Sequence, residues 1–242
     1  MTSSMIDRRP VHHQVIEIPI AGARLPAQLT TPAMARGLVI LASGDGEHLY
    51  TRGNEVIAAE LVSAGFSTLV LELLTAEEMV EDAESSELRF NQTLIAARLV
   101  RAISWAREQL VFVGLEIGCL AGGLCAGSAL AAAAVMPDVH AIVCRGARFE
   151  LAEALIDRVH ASVLLLVGGR DSAHLARNRR ALARLSRSSQ LRMVNDGGHL
   201  LDQPHELQRV ARESAAWFGR TLVRGSGAAG VLRAAAPVPL PG

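Results

Sequence analysis

The sequence predicts an α/β fold, a mostly parallel central sheet with helices on both faces. Two observations carry that expectation. Short β-rich apolar runs alternate with longer runs of helical periodicity along most of the 242 residues, the order that builds a parallel sheet joined by crossover helices. Some strand runs, "GLVILAS" first among them, are continuously apolar instead of alternating, as in strands covered on both faces. With 50% hydrophobic residues the chain can bury one large core. One domain over residues 1–222 is expected, followed by a Gly-, Ala-, Pro- and Arg-rich tail over 223–242 that has no acidic residue and is expected to be disordered.

The elements follow in order. His12–Ile20 alternates apolar and polar residues, as a half-exposed strand does, and Ala23–Pro32 is its expected partner. Gly37–Ser43, "GLVILAS", is a buried strand. Asn54–Gly65 repeats apolar residues at helical spacing and stops at a glycine. Phe66–Leu74 is another buried strand. Thr75–Leu88 is acidic without a strong apolar face and reads as a surface loop or lid, and Arg89–Leu110 as a long amphipathic helix. Ile117–Gly122, Ala141–Gly146 and Ser162–Gly169 are strands, separated by helices at Ser128–Met136 and Glu150–Val159. Ala173–Leu185 is a helix, Ser189–Asp196 the last strand and Pro204–Leu222 the last helix.

Charge excludes some function classes. The 24 basic residues balance 24 acidic ones, and every basic residue is arginine. Without a basic block, nucleic acid and anionic membrane are not expected partners. Without lysine, Schiff-base and P-loop lysine chemistry are excluded. Cys119, Cys125 and Cys144 are odd in number and lie in apolar runs, so no disulfide framework is expected. The first residues lack a signal-peptide core, and no run reaches the ~18 apolar residues of a membrane span. A cytoplasmic protein acting on a small molecule, with no metal and no cofactor, is the expectation.

In parallel sheets ligands bind beyond the carboxyl ends of the strands. Three reactive residues fall there. Cys125 lies in "GLCAG", a G-x-C-x-G variant of the nucleophile elbow, directly after Ile117–Gly122. Small flanking residues let strand and helix approach closely there, and a helix N-terminus favours the thiolate. Cys125 is equally readable as a small buried hydrophobe. Asp171 follows "SVLLLVGGR" and His199 follows the last strand; the alternatives for them are a helix N-cap and a surface histidine. Cys, Asp, His is also the chain order of α/β-hydrolase triads. Gly44 and Asp45, in "ASGDGEH", and the backbone of Ala126 are the expected oxyanion-binding groups. Arg145 and Arg148 can bind a substrate carboxylate or serve as surface ion-pair partners.

These residues resemble the α/β-hydrolase superfamily, specifically its dienelactone hydrolase-like family, over roughly Val15–Leu222. "GLCAGSALA" stands for the elbow, "VGGRD" for the acid and "GGHL" for the histidine. The resemblance implies an α/β-hydrolase fold and cofactor-free cleavage of a small ester or lactone through an acyl-enzyme. Cys125 would then be nucleophile, His199 general base and Asp171 its orienting group. Some similar domains adjoin a phosphoribosyltransferase domain, to which no segment of this chain corresponds. A second register, set from "PDVHAIVCRGAR", puts Gly123 at the nucleophile position. In that register the fold persists without the nucleophile, as a binding module or a non-hydrolytic catalyst, and both registers stay open on the sequence.

Overall fold

A computed structural model describes residues 11–43, 51–149 and 152–222. The expected oxyanion loop with Gly44 and Asp45, and the tail from 223, lie outside the described residues. The strands are β1 (Val11–Ile20), β2 (Ala23–Pro32), β3 (Leu38–Ser43), β4 (Ser67–Glu72), β5 (Ile117–Gly122), β6 (Val139–Arg145), β7 (Ser162–Gly168) and β8 (Gln190–Val194). They form one sheet in the order β1-β2-β4-β3-β5-β6-β7-β8. β1 pairs antiparallel with β2, and β2 with β4. Every pairing from β4 through β3 to β8 is parallel.

The helices are α1 (Arg52–Ser63), α2 (Ala76–Ser85), α3 (Glu87–Phe90), α4 (Gln92–Glu108), α5 (Gly123–Ala133), α6 (Ser172–Leu182) and α7 (Pro204–Thr221). The period-2 geometry of each strand divides its side chains between two cores. In β3, Leu38, Ile40 and Ala42 join the core that also holds Leu99 of α4, Ala129 of α5 and Ala181 of α6. Val39 and Leu41 join the opposite core, with Ile57 and Leu61 of α1 and Val210 and Phe218 of α7. Burial on both faces explains why β3 and β4 are buried at every position.

Three expectations are corrected. The acidic segment after β4 forms α2. Thr75 accepts from the Glu78 backbone N–H at 3.2 Å while Glu78 accepts from the Thr75 N–H at 2.8 Å, a reciprocal cap. Glu78 is also gripped by Arg98 of α4, Nη1 at 2.5 Å and Nη2 at 2.6 Å, and Nη1 donates to the Leu73 carbonyl at 2.8 Å. Between β6 and β7, the described residues form turns and a short 3₁₀ segment at Ile156–Arg158 instead of a helix. Its amides reach back three residues, Arg158 to Leu155 and Val159 to Ile156. Finally, α5 starts at Gly123, ahead of the expected Ser128. No helix among the described residues is long and apolar enough to cross a membrane.

Candidate active site

The candidate residues follow the carboxyl ends of β5 to β8, and of the proposed triad Asp171 and His199 meet there. At the end of β5 the chain turns into α5 within one residue. Gly122 is extended, and Gly123 has φ +50°, the left-handed region that side chains other than glycine adopt only at a cost. Gly123 is therefore the apex of the strand-turn-helix elbow. Cys125 is two residues further, inside the helix, and only 2% exposed within the apolar core shared with α4. The expectation that Cys125 stands at the apex is corrected: the left-handed residue is Gly123, and no residue of α5 lies outside the buried set. Ala126 is corrected with it. As the fourth helical residue it spends its amide on the helix's own ladder, so the first amide beyond the apex is that of Leu124. Burial also raises the thiol pKa values of Cys119 and Cys144, which leaves both as protonated core residues.

Asp171 begins α6 as its N-cap, accepting from the His174 backbone N–H at 3.0 Å. That bond, ahead of the His174 and His199 rings, holds its carboxyl below the ordinary aspartate range. Its Oδ2 faces two imidazoles, His174 Nδ1 at 2.7 Å and His199 Nδ1 at 3.2 Å. The His199 approach is too oblique for a hydrogen bond. The two rings lie with centroids 4.0 Å apart, tilted by 40°. Burial first, then the His174 ring, pull the pKa of His199 below its ordinary 6.5; Asp171 opposes them, and Arg148 adds to the lowering. The shift favours the neutral imidazole, and Nδ1 is the ring nitrogen turned to Asp171. Donor atoms of Asp171, His174 and His199 all lie within 4.8 Å of one another, a His₂Asp set of the type that can hold a divalent ion. Sequence reasoning missed His174. Its signal was the i,i+3 spacing from Asp171 at a helix start.

The loop carrying His199 is seated by backbone contacts. A Cβ on Gly146, whose φ is +55°, would lie 2.3 Å from the His199 carbonyl oxygen, and one on Gly168 would lie 2.1 Å from that of Gly198. Only glycine lets the ends of β6 and β7 approach the loop so closely. Glu206 of α7, 2% exposed, accepts from the Gly198 N–H at 2.8 Å and from the Gln203 N–H at 3.0 Å. Leu201, at φ +52°, is fully buried and pins the other side of the loop.

Arg145 joins this loop to the elbow. It is 5% exposed, its Nη1 donates to the Leu200 carbonyl at 3.2 Å, and its Nη2 lies 3.1 Å from where a Gly122 Cβ would sit. It faces inward and braces the loop against the elbow, not out to solvent as a surface ion-pair partner would. Arg148, by contrast, lines a cavity of about 430 Å³ together with Phe149, His174, Arg177 and Arg180. Its backbone N–H donates to the Gly123 carbonyl at 3.1 Å, so the segment after β6 touches the elbow on one side and the histidine loop on the other.

The chain is similar to a dienelactone hydrolase of solved structure from Anabaena variabilis, at 35% identity and a TM-score of 0.85, covering 88% of this chain and 99% of that one. A cold-adapted esterase from an Arctic intertidal metagenomic library superposes with a TM-score of 0.69 at 15% identity, over 92% of this chain and 100% of that one, a likeness of fold alone. A curated protein of Mycobacterium tuberculosis, whose name assigns it provisionally to the phosphoribosyl transferases, is 35% identical over 210 residues, 86% of this chain and 46% of its own length. The chain thus spans about half the length of the curated relatives it matches. No protein-family model matches it.

Proposed function

The chain belongs to the dienelactone hydrolase family of α/β-hydrolases, and on that premise we propose that it hydrolyses a small ester or lactone with water, not Cys125, as the nucleophile. The observation that carries this reading is the glycine at the elbow. Gly123 holds the left-handed apex and brings no side chain to it, while Asp171 and His199 form a carboxylate-histidine pair on the loops after β7 and β8. His199 Nε2 draws a proton from the water as its oxygen attacks the carbonyl carbon, and Asp171 stabilises the imidazolium that forms. The tetrahedral oxyanion is met by the Leu124 amide at the start of α5, where the helix dipole favours negative charge. Collapse expels the alkoxide, which takes the proton back from His199. No acyl-enzyme forms.

Kinetics on a small activated ester, paired with peptide mapping, tests this. Cys125→Ala should keep kcat/KM within about twofold, and His199→Ala should lose at least ~100-fold, the ordinary contribution of a general base. Peptide maps should carry no acyl group on Cys125. A Cys125 adduct that forms and turns over would restore the Cys-His-Asp triad and remove this reading.

The same Gly123 favours a second reading, a pocket that binds its ligand without hydrolysis. Saturable binding by wild type with no turnover of any activated ester or lactone would decide for it.

A further inference from the structure

We infer that Asp171, His174 and His199 form a binding site for zinc or a similar divalent transition-metal ion, and that an ion held there switches off His199 as a base. Their donor atoms lie within 4.8 Å of one another. His174 Nδ1 and His199 Nδ1 stand 2.7 and 3.2 Å from the same carboxylate oxygen, Asp171 Oδ2. Two ligand atoms on one tetrahedral zinc, with bonds of about 2.0 Å, are about 3.3 Å apart. Two imidazoles and one carboxylate, with the fourth position left to water, make an open zinc set. The cap of α6 accounts for only part of this cluster. Asp171 caps the helix through Oδ1, and one imidazole would suffice for Oδ2, yet two crowd it. His199 Nδ1 is buried with no hydrogen-bond partner, and so is His174 Nε2. Buried nitrogens left unmatched call for a reason, and a ligand ion is one.

The surroundings select the metal. The charge of Arg148 reaches His199, Arg177 and Arg180 line the cavity that His174 borders, and α6 turns its positive end to Asp171. All of these repel a cation. Magnesium and calcium depend on oxygen ligands and find one carboxylate here. Zinc and its neighbours gain two imidazole bonds as well. The cavity of about 430 Å³ gives the ion and its water a way in. Two imidazoles on one zinc stand further apart than the 4.0 Å between these ring centroids, so the pair opens as the ion enters, and His199, 35% exposed, has room to turn. The consequence is one of tautomer. As a base, His199 carries its proton on Nδ1, toward Asp171, and leaves Nε2 bare. Zinc on Nδ1 takes that lone pair, so the single ring proton, exchanged through water, sits on Nε2. That nitrogen then donates and cannot accept, and the attacking water keeps its proton. As an effect on activity this rests on the hydrolase reading; as a metal site it does not.

Calorimetric titration of the metal-stripped whole chain with zinc chloride, and separately with magnesium chloride, is the test, run beside ester hydrolysis at each zinc concentration. One zinc per chain should bind saturably, and magnesium should not bind. His174→Ala and His199→Ala replace partly exposed side chains, and each should weaken zinc at least about tenfold. His140→Ala, at the other end of the sheet near the start of β6, should bind as wild type does. Cobalt chloride in place of zinc should give the visible absorption of a four-coordinate ion in wild type and lose it in His174→Ala. Hydrolysis should fall as zinc fills the site and return with EDTA. Absence of saturation, zinc binding undiminished in His174→Ala or His199→Ala, an equal loss in His140→Ala, or magnesium binding as well as zinc would each overturn the site. Full hydrolysis by the zinc-saturated chain would overturn the switch. Titration needs no turnover. Zinc binding by a chain that hydrolyses no ester even when stripped therefore sinks the hydrolase reading and keeps the site, and hydrolysis without zinc binding does the reverse.

Discussion

Asp171 presents one carboxylate oxygen to two imidazoles, and the shorter contact belongs to His174. His199 therefore gets less than a full counter-charge and sits beside a second ring that disfavours its protonation. The working form of a general base is the neutral one, so activity should fall only as His199 protonates. Because its pKa lies below the ordinary 6.5, the acidic limb of kcat/KM should fall at lower pH than it would for an ordinary histidine base. His174→Ala removes the neighbouring ring and leaves Asp171 Oδ2 to His199 alone. Both changes favour the imidazolium, so the acidic limb should move up in pH. A profile of kcat/KM against pH for the two proteins reads this directly; an unmoved limb would mean that His174 is only a cap partner of α6.

Most strands were legible because a strand covered on both faces has an apolar run at its centre, as β3, β4, β5 and β7 have. The start of α5 was not legible for a related reason. All eleven of its residues are buried, so "GLCAGSALAAA" carries no polar face to mark a helical period, and the elbow can be read at Gly123 or Cys125. Only the backbone angle separates them. The chain order Asp171 then His199 was readable, but their sharing of a carboxylate with His174 was not, since it arises where two loops meet. The helix α2 was misread from its acidity, although Thr75-x-x-Glu78 is a capping-box spacing. A similar reciprocal cap at α7, Gln203 with Glu206, does more than start a helix, because Glu206 also accepts from Gly198 next to His199. Glu206→Ala leaves two backbone donors without their acceptor, at a cost of about 1–3 kcal/mol in unfolding free energy. It should also loosen the seating of His199, and a better hydrated imidazole would shift the acidic limb of kcat/KM toward pH 6.5. Denaturant unfolding and the pH profile together check it: lost stability with an unmoved limb would confine Glu206 to capping.

At the scale of the whole molecule, the titrating groups make stability depend on pH in two stages. Asp82, 2% exposed, is held ionised against its burial by the backbone and guanidinium of Arg89 and by the Leu88 N–H at 2.7 Å. Glu78 is held ionised chiefly by Arg98, and Asp171 chiefly by the His174 N–H. All three have folded pKa values below their ordinary 4.5 or 3.8. The unfolded chain therefore takes up their protons first as pH falls, so the stability they contribute is present above about pH 4.5 and lost below it. For His199 the lowered value means that the unfolded chain gains a proton near 6.5 while the folded chain does not. Folding thus begins to lose stability already below about pH 6.5, before the carboxylates titrate. The expected curve is level toward neutral pH, declines gently below about 6.5, and drops steeply below about 4.5. The steep stage should ease in Glu78→Gln, whose side chain no longer loses a charge there, although that variant starts from a lower plateau because Arg98 has lost its ionic partner. The gentle stage should shrink in His199→Gln, while the steep stage keeps the contributions of Glu78 and Asp82 and eases only through Asp171, which loses the His199 ring. Urea midpoints across this range, measured on wild type and both variants, carry the test; a gentle stage that persists unchanged in His199→Gln would place its origin in another group.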